Sequence, residues 1–329
     1  MTDFKGYLLH EFIEDHREGH LSRREALKLI ASVTGSLAAA NTILAGCAPV
    51  QQSTATAAAP TVGRATSTNT LATAAPRPSA TTVQATDTPV PTATTGAAGD
   101  IEASDVEFPG VETTLKGYLA QPVGDRPFPA ILVCHENRGL TEHIKDVTRR
   151  VAAAGYVGLA VDLLSRQGGT SAVDSSQVPG VLGNTPEEQF VQDFISGWRW
   201  LQSRPAVQAD RVGMVGFCFG GGVTWRVAIG LPELRAAVPF YGPHPSTREV
   251  AAIQAAVLAI YGERDQRINQ SIPDIEAAMQ HNGKVYEKVI YPNADHAFHN
   301  DTGARYNPEA AQDAWARTLA WFERYVKTP

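Results

Sequence analysis

Residues 212–223 read VGMVGFCFGGGV: an apolar run entering a glycine, then a cysteine between two phenylalanines, then three more glycines. The run has the continuous hydrophobicity of a strand buried on both faces. Gly216 and Gly220 flank Cys218 at equal spacing, giving the G-x-C-x-G form of a sharp strand-to-helix turn. Such a turn needs glycine on either side, because side chains there would collide, and it lifts the central residue above the sheet in a strained conformation. A helix beginning at that residue favours negative charge on it.

Working outward, other β-rich runs alternate with helical patterns. PAILVCHE from Pro129 and YVGLAVDLL from Tyr156 read as buried strands, separated by the helix end VTRRVAAAG that Gly155 stops. A helix with Phe190, Phe194, Trp198 and Leu201 at apolar spacing precedes Pro205 and the strand from Val212. LRAAVPFYG, AAVLAIYGERD and VYEKVIYP follow as further strands. A closing helix runs from Pro308 to about Val326, with Trp315, Leu319 and Phe322 on one face. Strands separated by helices in this order predict an α/β fold: a mostly parallel central sheet with helices on both faces, a three-layer α/β/α sandwich.

In such sheets, chemistry collects at the carboxyl ends of the strands, where Cys218 falls. A small cysteine after a strand is otherwise a buried core residue, so the remaining strand ends decide its role. A thiol nucleophile needs a general base and an acid to orient it, arriving in the order nucleophile, acid, base. Asp265 follows the AAVLAIYG strand, and His296 follows the last strand in PNADHAF. His299 and His244 compete with His296, and Asp295 competes with Asp265; a residue adjacent to His296 points away from its ring, which favours Asp265. Cys134 reads as a buried strand residue.

Together GFCFGG, the Cys218, Asp265, His296 order, CHENRGL from Cys134 and DLLSRQGG from Asp162 resemble the dienelactone hydrolase (carboxymethylenebutenolidase) family, over about Val106 to Tyr325. The resemblance implies an α/β-hydrolase fold and hydrolysis of small lactones or activated carboxylic esters through a Cys-His-Asp triad, without metal or organic cofactor. By similarity, Glu136 controls the thiol, and the backbone N–H groups of Asn137 and Phe219 form the oxyanion hole. Arg166 matches a carboxylate-binding arginine that Arg138 assists. The segment after His296 reads Ala-Phe-His-Asn, where dienelactone-cleaving members carry a second arginine, so a general carboxylesterase is the nearest alternative. A non-catalytic carboxylate-binding lipoprotein is a more distant one. A thiol-redox protein is disfavoured because Cys218 has no second cysteine nearby.

The rest of the 329-residue chain reads differently. Ser22-Arg23-Arg24-Glu25-Ala26-Leu27-Lys28, followed by a weakly apolar run ending Leu44-Ala45-Gly46-Cys47, resembles a twin-arginine export signal with a lipobox. Residues 1–47 are therefore expected to be a signal segment, with Cys47 lipidated and the product anchored outside the cytoplasm. Residues 48–100, rich in Ala, Thr, Pro and Ser, read as a disordered linker. The hydrolase-like domain is expected at 101–329. Three scattered cysteines exclude a disulfide framework, and a net charge of −6 without basic clusters beyond the N-terminus argues against nucleic acid. A monomer acting on a small-molecule ester or lactone is expected.

Overall fold

A computed structural model describes residues 4–46 and 100–328. The 48–100 linker and Cys47 lie outside the described residues, Asp100 excepted.

Eight strands form one sheet: β1 (Ile101–Gly110), β2 (Thr113–Pro122), β3 (Phe128–Cys134), β4 (Val157–Asp162), β5 (Val207–Phe217), β6 (Ala236–Phe240), β7 (Ala256–Gly262) and β8 (Tyr286–Tyr291). Their order is β1-β2-β4-β3-β5-β6-β7-β8. The strands from β4 across to β8 pair in parallel, while β2 joins β4 and β1 in antiparallel register. Every residue of β3, β4, β6 and β7 is buried, as a sheet covered by helices on both faces requires. The six strands expected from the sequence are all present. The β1–β2 hairpin is an addition; its signal was the alternation of Leu115, Gly117 and Leu119, all buried, with polar neighbours in β2.

The crossover helices are α4 (Glu142–Ala153), α6 (Glu187–Gln202) after the short α5 (Val178–Asn184), α7 (Phe219–Gly230) and α8 (Gln266–Asn269) with α9 (Ile272–His281); α10 (Pro308–Phe322) follows the last strand. The amphipathic spacing of α6 buries Phe190, Phe194 and Leu201. Asn307 caps α10 by accepting from the Ala310 amide, with Pro308 at the first helical position, where its missing N–H costs nothing.

Residues expected to act only as a leader are also folded. They form α1 (Phe4–Arg17), α2 (Arg23–Thr34) and α3 (Leu37–Ala45). Ser22 and Glu25 make a reciprocal capping box at the start of α2, closing two otherwise open backbone donors. Tyr7, Leu8 and Phe12 of α1, and Ala26, Leu29, Ile30 and Val33 of α2, are part of the hydrophobic core. The paired arginines at 23 and 24 stand exposed at the start of α2. No helix among the described residues is long and apolar enough to cross a membrane.

Candidate active site

Cys218 joins β5 to α7 with φ 56° and ψ −121°, a backbone state that non-glycine residues adopt only when their surroundings enforce it. A Cβ at position 216 would lie 2.2 Å from the Gly220 carbonyl oxygen, and one at 220 would lie 2.4 Å from that of His135. The G-x-C-x-G spacing is thus a packing requirement. The Cys218 amide donates to the Phe240 carbonyl at 3.0 Å, and the Cys218 carbonyl accepts from the Gly221 amide at 2.9 Å, pinning the turn to β6 and to α7.

Asp265 and His296 stand at the carboxyl ends of β7 and β8, as expected. His296 Nδ1 donates to Asp265 Oδ2 at 2.5 Å, while Oδ1 of Asp265 accepts from the Ile268 amide at 3.3 Å. With Nδ1 carrying the proton, Nε2 is the basic nitrogen. Among the described residues it has no hydrogen-bond partner. A ring nitrogen of His296, the Cys218 sulfur and a Glu11 oxygen lie within 4.8 Å of one another. Burial opposes charge on His296, but Asp265 and then the sulfur outweigh it and hold its pKa well above the ordinary value. Burial likewise opposes charge on Asp265, yet the imidazole holds its carboxyl below the usual range. Burial pushes the Cys218 thiol up, Glu11 adds to this, and His296 pulls the other way.

The competing residues are committed elsewhere. His244 is held between Ser271 Oγ at 2.8 Å and the Tyr261 hydroxyl at 2.7 Å, and burial lowers its pKa to about 4. His299 stacks on Phe217, and burial lowers it to about 3. Asp295 lies partly exposed, 3.4 Å from Arg264. Cys134 is fully buried, as expected of a strand residue. His135 was given no role by sequence reasoning; its Nδ1 donates to the Glu136 carbonyl at 2.7 Å and its Nε2 accepts from the Leu163 amide at 3.2 Å, tying β3 to β4.

Three expectations need correction. Glu136 is buried near the thiol, but its Oε2 accepts from Asn300 Nδ2 at 2.7 Å. The carboxylate on the thiol is instead Glu11 of α1, to which Sγ donates at 3.5 and 3.6 Å. Arg166 was expected as a free carboxylate clamp. Its guanidinium is gripped by both oxygens of Asp193 at 2.8 and 3.0 Å, because a fully buried Asp193 in α6 must have a counter-charge. Arg138 is exposed and faces Glu25 of α2. Asn137 lies just past β3, and Phe219 follows Cys218 at the start of α7, whose first turn abuts the end of β3 at Gly220.

Glu11 and Tyr7 are the site residues that sequence reasoning missed. Their signal was available in the spacing of Phe4, Tyr7, Leu8, Glu11 and Phe12, the buried stripe of an amphipathic helix. Tyr7 Oη lies 3.4 Å from Sγ, and the Asn137 side-chain amide donates to Glu11 Oε1 at 2.8 Å. Glu11, Cys218 and His296 also have the donor types and closeness of a three-ligand divalent-ion site. The elbow and the Asp265 pair account for two of them without one. A cavity of about 60 Å³ adjoins His296, lined by Glu11, Glu14, Asp15, Arg267 and Arg305 among others. A larger one of about 660 Å³, between the start of α1, α6 and α7, is lined by none of Cys218, Asp265 and His296, and its Arg226 is already paired with Glu187 and Glu249.

A strained cysteine at a strand-helix elbow, an Asp-His pair on later loops and this strand order define an α/β-hydrolase. The chain belongs to the dienelactone hydrolase family, whose model matches residues 115–326. It is 36% identical over 241 residues to a Methylorubrum extorquens protein provisionally assigned as a carboxymethylenebutenolidase, an alignment covering 69% of this chain and 83% of that one. A crystal structure of a provisionally assigned dienelactone hydrolase from Klebsiella pneumoniae superposes with TM-score 0.65 at 32% identity, over 69% of this chain and 100% of that one. The dienelactone hydrolase structure from Anabaena variabilis, at 22% identity and TM-score 0.55, covers 69% of this chain and 99% of that one and shares the fold. The chain is a dienelactone hydrolase-like hydrolase.

Proposed function

We propose that this chain cleaves a lactone or small carboxylic ester through Cys218, His296 and Asp265 by way of a thioester. His296 Nε2 takes the thiol proton, and Sγ attacks the ester carbonyl. The oxyanion is received by the Asn137 and Phe219 backbone amides, with the positive end of α7 behind them. The imidazolium gives its proton to the leaving alkoxide, which in a lactone stays attached to the acyl chain. His296 then activates water against the thioester, and the thiol is regenerated. The observation that carries this reading is the positive φ of Cys218 beside a histidine braced by a buried aspartate. Replacing Cys218 with alanine is expected to abolish p-nitrophenyl acetate turnover and the acyl adduct seen by mass spectrometry; a fully active alanine variant overturns the reading.

A general carboxylesterase is the second reading, favoured by the commitment of Arg166 to Asp193. The enzyme acts, on this reading, as a monomer on a small-molecule substrate. Its proposed location is outside the cytoplasm, reached by the twin-arginine route and held by lipid on Cys47. The support for this is Arg23-Arg24 and the Leu44-Ala45-Gly46-Cys47 string. Mass spectrometry of the protein from the membrane fraction tests it: a diacylated N-terminal Cys47 is expected, and an intact Met1 terminus refutes it.

A further inference from the structure

The catalytic sulfur is closed off by the chain's own first helix. Cys218 is 3% exposed, and the nearby cavity of about 60 Å³ has room for roughly two waters, whereas ligand sites span roughly 300–1,000 Å³. The face that closes it is built for the purpose. Phe4 packs on Phe219 and Phe190 with ring centroids 4.6 and 5.8 Å away. One turn on, Tyr7 lies against Sγ and beneath the Arg267 guanidinium, 4.6 Å from its ring. One turn further, Glu11 accepts from the thiol and from Asn137. Beyond it, Glu14 pairs with Arg267 at 2.8 Å and Asp15 with Arg305 at 2.7 Å. The side chains next to the sulfur on the α1 side thus bring a carboxylate against the thiol, bonded to Asn137, whose backbone amide is proposed above to receive the oxyanion.

We propose that α1 is a built-in occupant of the substrate site, with Glu11 holding Cys218 as an unreactive thiol, so that hydrolysis begins only when α1 leaves. This rests on the cysteine-hydrolase reading above. The groups facing Cys218 are Tyr7 and Glu11 from α1, Cys134 and Glu136 at the end of β3, Tyr241 after β6, and His296 and Arg305 after β8. Glu11 is itself faced by Arg267 and Arg305. With α1 in place the sulfur has a carboxylate as its hydrogen-bond acceptor, which favours the neutral thiol over the thiolate. Cleavage before Cys47, the cut that the leader reading predicts, removes the occupant along with the leader.

The test uses the full chain and two readouts: the rate at which iodoacetamide alkylates Cys218, located by peptide mapping, and p-nitrophenyl acetate turnover. The double variant Glu14→Arg, Asp15→Arg reverses both ion pairs without touching the sulfur. It is expected to raise alkylation at least about tenfold and turnover in step, and a peptide of residues 1–20 added in trans is expected to suppress both. Unchanged alkylation overturns the proposal, and so does faster alkylation with turnover falling below that of the unaltered full chain, which makes α1 part of the working site. Glu11→Gln, nearly isosteric, supplies a second measurement should the double variant not fold. Its alkylation profile is expected to move toward lower pH by about one unit, and a profile coincident with wild type refutes the role of Glu11. Alkylation reads access to the thiol whether or not an ester is turned over. Fast alkylation without hydrolysis in any form therefore sinks the hydrolase reading and leaves the occupant standing.

Discussion

Asp265→Asn removes one charge from the buried pair and little else. The aspartate accepts from His296 Nδ1 at 2.5 Å, and the two side chains are 4% and 7% exposed, so solvent screening is slight. A hydrogen bond to a charged group contributes roughly 1.5–3 kcal/mol to stability. At 1.36 kcal/mol per decade, losing the upper figure costs about 100-fold in kcat/KM. The same loss lowers the basicity of His296 by about two pH units. The sign follows: Asp265 raises the imidazole pKa, so its neutral replacement shifts the acid limb of the kcat/KM profile to lower pH while reducing the plateau. The assay is p-nitrophenyl acetate hydrolysis from pH 5 to 9 alongside Asp295→Asn, whose exposed pairing with Arg264 predicts a change within about twofold. A plateau within about threefold of wild type in Asp265→Asn, with Asp295→Asn strongly impaired, refutes the assignment of the acid.

Two further outcomes follow from groups that do no chemistry. Arg166→Ala leaves the buried Asp193 carboxylate without its counter-charge, at a cost of about 3–5 kcal/mol and hence roughly a 10 °C fall in Tm by calorimetry, with the ester specificity of the folded fraction unchanged; an unaltered Tm with loss of preference for a carboxylated lactone returns Arg166 to the substrate. His244 and His299 are held neutral when folded, with pKa values of about 4 and 3, and regain an ordinary value when unfolded. The unfolded chain then binds more protons below about pH 6.5, so each contributes stability that is lost as pH falls, by up to about 1.4 kcal/mol per pH unit until its folded pKa is reached. Urea midpoints at pH 7 and 4.5 are expected to show a smaller acid loss for His244→Gln than for wild type, and an equal loss contradicts the assignment.

The parallel strands, the elbow and the placing of Cys218, Asp265 and His296 at strand ends were legible because their signals are local. A buried parallel strand needs an unbroken apolar run, and a nucleophile elbow needs glycines two residues to either side. An acid and a base must follow later strand ends in a set order. Each requirement writes itself into a few consecutive residues, and Cys218, Asp265 and His296 stand where those residues placed them. The two rival histidines were a matter of partners: in sequence His296 and His299 differ by three positions, and only packing puts one against Asp265 and the other against Phe217.

Partner choice at a distance was out of reach for the same reason. Whether Arg166 faces a substrate or Asp193 depends on how α6 lies against the end of β4. Whether Glu136 or Glu11 meets the thiol depends on a contact across 207 positions of chain. The small apolar residues after Arg24 satisfy both a leader and a buried helix face, since each needs only low polarity and modest bulk. Sequence alone determined the fold class and placed Cys218, Asp265 and His296 at strand ends, because backbone sterics and hydrophobic periodicity act over a few residues. The tertiary structure decided which charge each reacting group meets, because a buried carboxylate or guanidinium must find its counter-group wherever the fold brings one within reach.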